Sequence, residues 1–304
     1  MSIKISRSRK SGAVVTRGGD LRFTIVIPTR DRPRQLVACL DAVARLRFAP
    51  ERFETIVVDD GGSAPLGPTV VEAVFSAGAR IVHQPPSGPG AARNRGAEVA
   101  RGEVVAFLDD DCAPNGTWLD ELDQALAANP GAGVGGRTVN ALPGNPYSSA
   151  SQTLIDYLYA YYNRGAAPEP MFTTSNLALP RVEFLQIGGF DQRFSRAGGE
   201  DRELCLRWAR SGREILYAPT AIVHHAHCLG LRTFLRQHFN YGRGAARFHR
   251  IRESAPIPEP PSFYRELILY PWRERHRGRA RQSALLAVSQ VANVAGYAWE
   301  IRHR

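Results

Sequence analysis

The sequence predicts an α/β domain built on a mostly parallel sheet with helices on both faces. From residue 23, short β-rich runs alternate with segments of helical period. The runs are continuously apolar or β-branched, as in strands buried on both faces. Acidic and turn residues follow three of them, which sets one edge of the sheet apart from the other.

The order of elements follows from the same rhythm. FTIVIPT, FETIVVDD and ARIVHQ read as strands, separated by the helical segments PRQLVACLDAVARL and PTVVEAVFSA. In the first helix Leu36, Val37, Leu40, Val43 and Ala44 recur at helical spacing, which gives it one apolar stripe. A helix near AARNRGAEVARG, a strand EVVAFLDDD, a helix PNGTWLDELDQALAAN opened by Pro114 and a strand near GVGGRTVN continue the series. After residue 141 the pattern changes to a Gly/Pro connector, a Tyr-rich helix around Asp156 to Tyr162, and a block from Met171 to about His249. ESAPIPEPP reads as a linker, and residues 282–299 as a helix in a basic tail. The expected organisation is a basic, disordered leader over 1–21, a first half over 22–140, a second half of the same domain over 141–250, and a linker with a basic amphipathic tail over 251–304.

At 304 residues, 43% apolar and 22% charged, the chain lies within the globular range. The four cysteines, Cys39, Cys112, Cys205 and Cys228, have neither C-x-x-C spacing nor scaffold density, which points to a reducing compartment and a cytoplasmic protein. The net charge of +10 gathers at the two ends, notably at Arg273, Arg275, Arg277, Arg279 and Arg281. No aromatic-interleaved basic stripe runs through the middle, which argues against a nucleic-acid partner.

Open sheets bind ligands beyond the carboxyl ends of their strands. Thr29-Arg30-Asp31, Asp59-Asp60-Gly61-Gly62 and Asp109-Asp110-Asp111 all fall at such ends. Carboxylates two apart after a buried strand suit a hard divalent cation, although an Asx-rich turn is the plainer reading of Asp109-Asp110-Asp111 alone. Gly198-Gly199-Glu200-Asp201 precedes an amphipathic helix with Leu204, Arg207 and Trp208, where acids also suit the helix dipole.

IVIPTRDRP, IVVDDGGS, GPGAARNRG, FLDDD, IGGFDQRF and GGEDRELCLRW, in this order, resemble the family-2 glycosyltransferases of the GT-A (nucleotide-diphospho-sugar transferase) fold over about residues 22–250. The resemblance implies an inverting hexosyl transfer from a nucleotide-sugar, with a UDP-linked donor favoured, to a glycan, lipid-linked glycan or small glycoside. It implies that 22–140 is the nucleotide-sugar-binding half and 141–250 the acceptor-binding and catalytic-base half, with Asp201 as general base and Glu200 as its orienting neighbour or an acceptor contact. Donor contacts fall on Thr29, Asp31, Asp60, Arg93, Asn94, Asp109 and Asp110, and the metal, Mn²⁺ or Mg²⁺, on Asp111 and Asp109 with His225, or second His227. Thr173-Thr174-Ser175-Asn176 matches the segment lining sugar and acceptor, and RQHFNYGRG is expected to close over the diphosphate. The processive signature Q-x-x-R-W is absent, so single additions are implied. A nucleotidyltransferase would want glycines after the first strand, which PTRDRPRQL lacks, and a binding module without catalysis would not need all of these acids.

The tail is expected to touch a membrane peripherally through 273–304, at the inner face of the cell membrane. Leu285, Leu286, Tyr297 and Trp299 would supply apolar contact beside the arginines. In that reading, removal of the chain beyond Pro261 leaves donor chemistry intact; packing of the helix onto the domain is the competing expectation.

Overall fold

A computed structural model describes residues 21–163, 170–194, 198–252 and 259–303. Nearly all of the expected leader and most of the expected linker lie outside these residues. The first half runs β1 (Phe23–Thr29), α1 (Pro33–Val43), β2 (Phe53–Asp59), α2 (Pro68–Ser76), β3 (Ala79–His83), α3 (Pro89–Val99) and β4 (Val104–Phe107). A short β5 (Cys112–Pro114), α4 (Trp118–Ala128) and β6 (Gly133–Asn140) follow. The second half contains α5 (Pro146–Asn163), β7 (Leu177–Pro180), α6 (Arg181–Gln186), α7 (Glu200–Arg210) and β8 (Ile215–His225), then α8 (Leu231–Ile251), α9 (Pro261–Arg273) and α10 (Arg279–Arg302). Helices α1, α2, α3 and α9 each open on a proline, whose fixed φ and missing N–H cost nothing in a first turn.

The sheet order is β3-β2-β1-β4-β7-β6-β8-β5. The first four strands pair in parallel, as expected. Beyond β4 the sheet is mixed: β7 lies antiparallel to both β4 and β6, β8 is parallel to β6, and β5 is antiparallel to β8. Alternate residues of the buried strands feed two cores. Ile25, Ile27 and Val57 meet Leu36, Leu40, Trp118 and Leu122 on one face. Val26, Ile56, Val58 and Phe107 meet Phe184, Phe190, Leu204 and Trp208 on the other. A parallel sheet needs this double cover because both of its faces are apolar.

Two expectations about elements are corrected. Pro114 does not open a helix: it pairs with Val223 of β8 at the sheet edge, where a proline costs no ladder hydrogen bond, and α4 begins at Trp118. The tail is not a detached interfacial helix. α10 crosses α8 so closely that a Cβ added at Gly242 would stand 1.8 Å from the Asn293 carbonyl oxygen, and one at Gly296 1.9 Å from that of Phe239. Glu300 accepts from Arg243 Nε at 2.7 Å and Arg247 Nε at 2.6 Å, and the Arg243 guanidinium lies 4.2 Å from the Trp299 ring centroid. Leu286 is fully buried and Tyr297 meets His249. The apolar residues expected at a membrane are therefore largely engaged with the protein. Val288 and Val291 face outward instead. No helix among the described residues is long and apolar enough to cross a membrane.

Candidate active site

The acidic run Asp109-Asp110-Asp111 leaves β4 and turns directly into β5, where Cys112 stands opposite His225 of β8. The Ala226 N–H donates to the Asp111 carbonyl at 2.8 Å. These backbone pairings bring the imidazole to the carboxylate, with His225 Nε2 3.1 Å from Asp111 Oδ1. β8 reaches this point by a register shift: Ala218 pairs with Gly136, but Ile222 pairs with Arg137, so the strand bulges before its last turn toward the site.

Arg32, which the sequence reading did not single out, holds both inner carboxylates. Its Nη1 lies 2.8 Å from Asp110 Oδ1 and its Nη2 2.5 Å from Asp111 Oδ2. Asp110 also accepts from Thr29 Oγ1 at 2.8 Å. Burial pushes the Asp110 carboxyl up to about 7, against the pull of Arg32. Burial also opposes ionisation of Asp111, but the hydrogen bond from His225 and the charges of His225 and Arg32 outweigh it and hold this carboxyl well below the usual range. His225 is raised because the same bond overcomes its desolvation, whereas burial and neighbouring His225 push His227 down to about 4. The rings of His225 and His227 stack with centroids 4.9 Å apart.

Ligand atoms of Asp111, Cys112 and His225 lie within 4.8 Å of one another. The buried Cys112 thiol is pushed well above its ordinary value by desolvation, and its sulfur is the soft member of the three, the one least matched to a hard oxygen-seeking ion. The carboxylate and imidazole that remain, with Asp109 nearby in sequence, form a donor set that suits a divalent ion such as Mn²⁺ or Mg²⁺.

Across the site, Gly198 and Gly199 lead into α7 with Glu200 and Asp201 at its start. Arg93 joins the two sides. Its Nη2 donates to Asp109 Oδ1 at 2.6 Å, while Nη1 stands 4.0 Å from Glu200 Oε1. Nε and Nη1 of this buried guanidinium have no hydrogen-bond partner among the described residues. Glu200 accepts from the Gly198 N–H at 2.5 Å, and burial together with the Asp201 charge raises its carboxyl to about 8. Asp201 is also raised, chiefly by burial; it accepts from the Thr174 N–H at 3.3 Å and Oγ1 at 3.2 Å. Arg93, Asp109, Thr174, Asp201 and His225 line one cavity of about 630 Å³.

Several residues expected at the donor also make contacts within the protein. Both amide atoms of Asn94 are spent on the Phe190 backbone, at 2.8 and 2.7 Å, so this side chain braces the Gly188-Gly189-Phe190 turn. Asp60 accepts from Gln84 Nε2, the Ser87 N–H and the Gly88 N–H at 2.7 to 2.9 Å, which ties it first to the turn before α3. Asp31, at φ 54°, accepts from the N–H and hydroxyl of Ser63 and joins the loops after β1 and β2. The segment expected to close over a diphosphate is part of the continuous helix α8, and Arg243 is committed to Glu300. Asn176 is buried and holds the Arg137 and Ala221 carbonyls together. Besides Arg32, the sequence reading missed that α9 and α10 join α5 and α8, which lie in or at the edge of the expected acceptor-binding half, in the far wall of the cavity. Its only sequence signal is a scattering of aromatic and apolar residues that also suit a core.

The profile described as Glycosyl transferase family 2 matches residues 24–187, and one described as the N-terminal domain of galactosyltransferase matches 159–228. The chain is 31% identical over 237 residues to a pre-mycofactocin glycosyltransferase of Mycobacterium tuberculosis, covering 73% of this chain and 46% of the relative. It is 30% identical over 213 residues to a validoxylamine A glucosyltransferase of Streptomyces hygroscopicus, covering 61% and 47%. The chain thus spans about half the length of these relatives. Among solved structures it resembles the mannosyltransferase PcManGT from Pyrobaculum calidifontis, in complex with GDP-Man and Mn²⁺, with a TM-score of 0.65 at 17% identity over 96% of this chain and 91% of that one. This likeness shows the GT-A fold. With a family profile that covers more than half of its length, and the family's acidic strand ends gathered at one sheet edge, the chain belongs to glycosyl transferase family 2.

Proposed function

We propose that the protein transfers a sugar from a nucleoside diphosphate sugar to an acceptor hydroxyl in one inverting displacement. The observation that carries this reading is one cavity lined by Asp109 and His225, the latter paired with Asp111 behind it, and on its other side by the buried Glu200–Asp201 pair. Asp111 and His225, with Asp109, would hold the ion, which when bound neutralises the diphosphate leaving group. Arg93, already between Asp109 and Glu200, offers unpaired N–H groups to negative charge developing in the cavity. Asp201 takes the proton from the acceptor oxygen as that oxygen attacks the anomeric carbon, and its raised basicity suits the task. Glu200, neutral at its raised pKa, keeps a second negative charge away from the base. No second carboxylate is required as nucleophile, which is the chemistry of a single displacement and not of a retaining pair.

The test is Mn²⁺-dependent binding and hydrolysis of UDP- and GDP-linked sugars. The GDP arm is included because the solved PcManGT complex holds GDP-Man and Mn²⁺. Asp111→Ala is expected to remove the metal-dependent part of nucleotide affinity. A folded Asp111→Ala protein with unchanged Mn²⁺-dependent affinity would sink the assignment.

A further inference from the structure

From the catalytic edge the cavity runs away from the sheet to Phe263 of α9 and Val294 of α10. Leu154, Ile155 and Leu158 of α5, Met171 and Phe248 also line it. Tyrosine, histidine, arginine and glutamine side chains also face it, but many of their polar atoms are engaged with one another. The Tyr162 hydroxyl donates to Glu259, and the Arg202 guanidinium pairs with Glu259 while lying 5.0 Å from the Tyr162 centroid and 4.8 Å from that of Phe248. His249 Nδ1 is 3.1 Å from the Tyr297 hydroxyl, and Gln237 Nε2 donates to the Tyr241 hydroxyl at 2.8 Å. These pairings leave ring faces and alkyl groups as much of what the wall offers a guest. A sugar body there would lose water from several hydroxyls and regain few partners, a cost an apolar body does not meet. Among the described residues Gln237 Oε1 is buried without a hydrogen-bond partner, an acceptor for a donor group on the guest.

We propose that the acceptor carries its hydroxyl on an apolar, aromatic or alkyl body that lies between α5, α8, α9 and α10. The inference rests on the glycosyl-transfer reading and deepens it by naming the acceptor class. Size agrees: about 630 Å³ falls in the range of small-molecule sites, about 300–1,000 Å³, and because the donor sugar shares this space, what is left suits a compact guest more than a polymer.

Phenyl β-D-glucoside, submicellar n-octyl β-D-glucoside, methyl β-D-glucoside and maltotriose serve as probes, titrated into the full chain with Mn²⁺ and UDP or GDP. The phenyl or octyl compound is expected to bind at least about tenfold more tightly than methyl glucoside, the factor that burial of a few apolar carbons supplies. Which of the two binds better separates a ring from a chain. Leu158→Gln is expected to erase the preference, and Val291→Glu, on the outer face of α10, to leave it unchanged. Melting of each variant within a few degrees of the parent certifies its fold. Equal affinity for methyl and apolar glucosides, tighter maltotriose binding, or a preference untouched by Leu158→Gln overturns the proposal. Nucleotide binding on the same sample separates the two ideas: nucleotide binding without an apolar preference defeats the acceptor class alone. An apolar preference without Mn²⁺-dependent nucleotide binding defeats the transfer reading and leaves an apolar site.

Discussion

Glu200 carries a proton in the folded chain at pH values where the unfolded chain has lost it. Its carboxyl is raised to about 8 by burial and by Asp201, against an ordinary glutamate value of about 4.3. The stability contributed by the neutral form is therefore complete below the ordinary value and is lost as pH rises through about 8. Glu200→Gln keeps an acceptor for the Gly198 N–H and has no proton to lose. Its melting temperature, measured from pH 5 to 9, should gain on the parent as pH increases; parallel curves would show that Glu200 is ionised throughout. Asp201→Asn is expected to retain donor affinity while lowering transfer about 10²- to 10⁴-fold, the usual worth of a positioned base. Near-parental turnover would move the role elsewhere on α7. At this scale the sequence located the acids well, because each follows a strand or opens a helix within a recognisable motif. It did not foresee the bracing role of Asn94 and Asp60, whose partners include backbone groups of Phe190, Ser87 and Gly88, adjacent to them only after folding. It missed Arg32 because no spacing rule links a loop arginine to carboxylates 78 and 79 positions onward.

Among the elements, the continuous apolar runs made β1, β2 and β4 legible, while β7 escaped notice. Its four residues, Leu177–Pro180, carry too short a pattern to separate a strand from a loop, and its antiparallel entry between β4 and β6 is a tertiary choice. Gly242 and Gly296 were equally silent, since a glycine within a helical pattern does not announce what approaches it. The crossing makes them testable. Gly296→Ala places a methyl against the Phe239 carbonyl, so α8 and α10 must separate, at a cost of about 1–3 kcal/mol as for other overpacked sites. Thermal or urea unfolding should register that loss, whereas Val291→Ala on the solvent side should stay within about 0.5 kcal/mol of the parent. Equal stability of the two variants would mean that the crossing is looser than described.

For the molecule as a whole, the last two helices are structure and not appendage. Phe263, Leu267 and Leu286 share a buried cluster with Leu154, Tyr157 and Tyr162 of α5. A chain ending at residue 259 would bare that cluster and the facing side of α8. It is expected to melt well below the parent or fail to accumulate in soluble form, and a truncated protein with parental stability would restore the separable tail that the sequence suggested. The β5–β8 pairing has a related consequence in time. Asp111 emerges early during synthesis, but His225 and the strand that aligns it follow more than a hundred residues later, and pairings so distant in sequence form slowly. An incomplete or misassembled chain can thus display the whole acidic run without its imidazole partner, and on the proposed reading cation capture would signal that the ribosome's product has finished closing its far sheet edge.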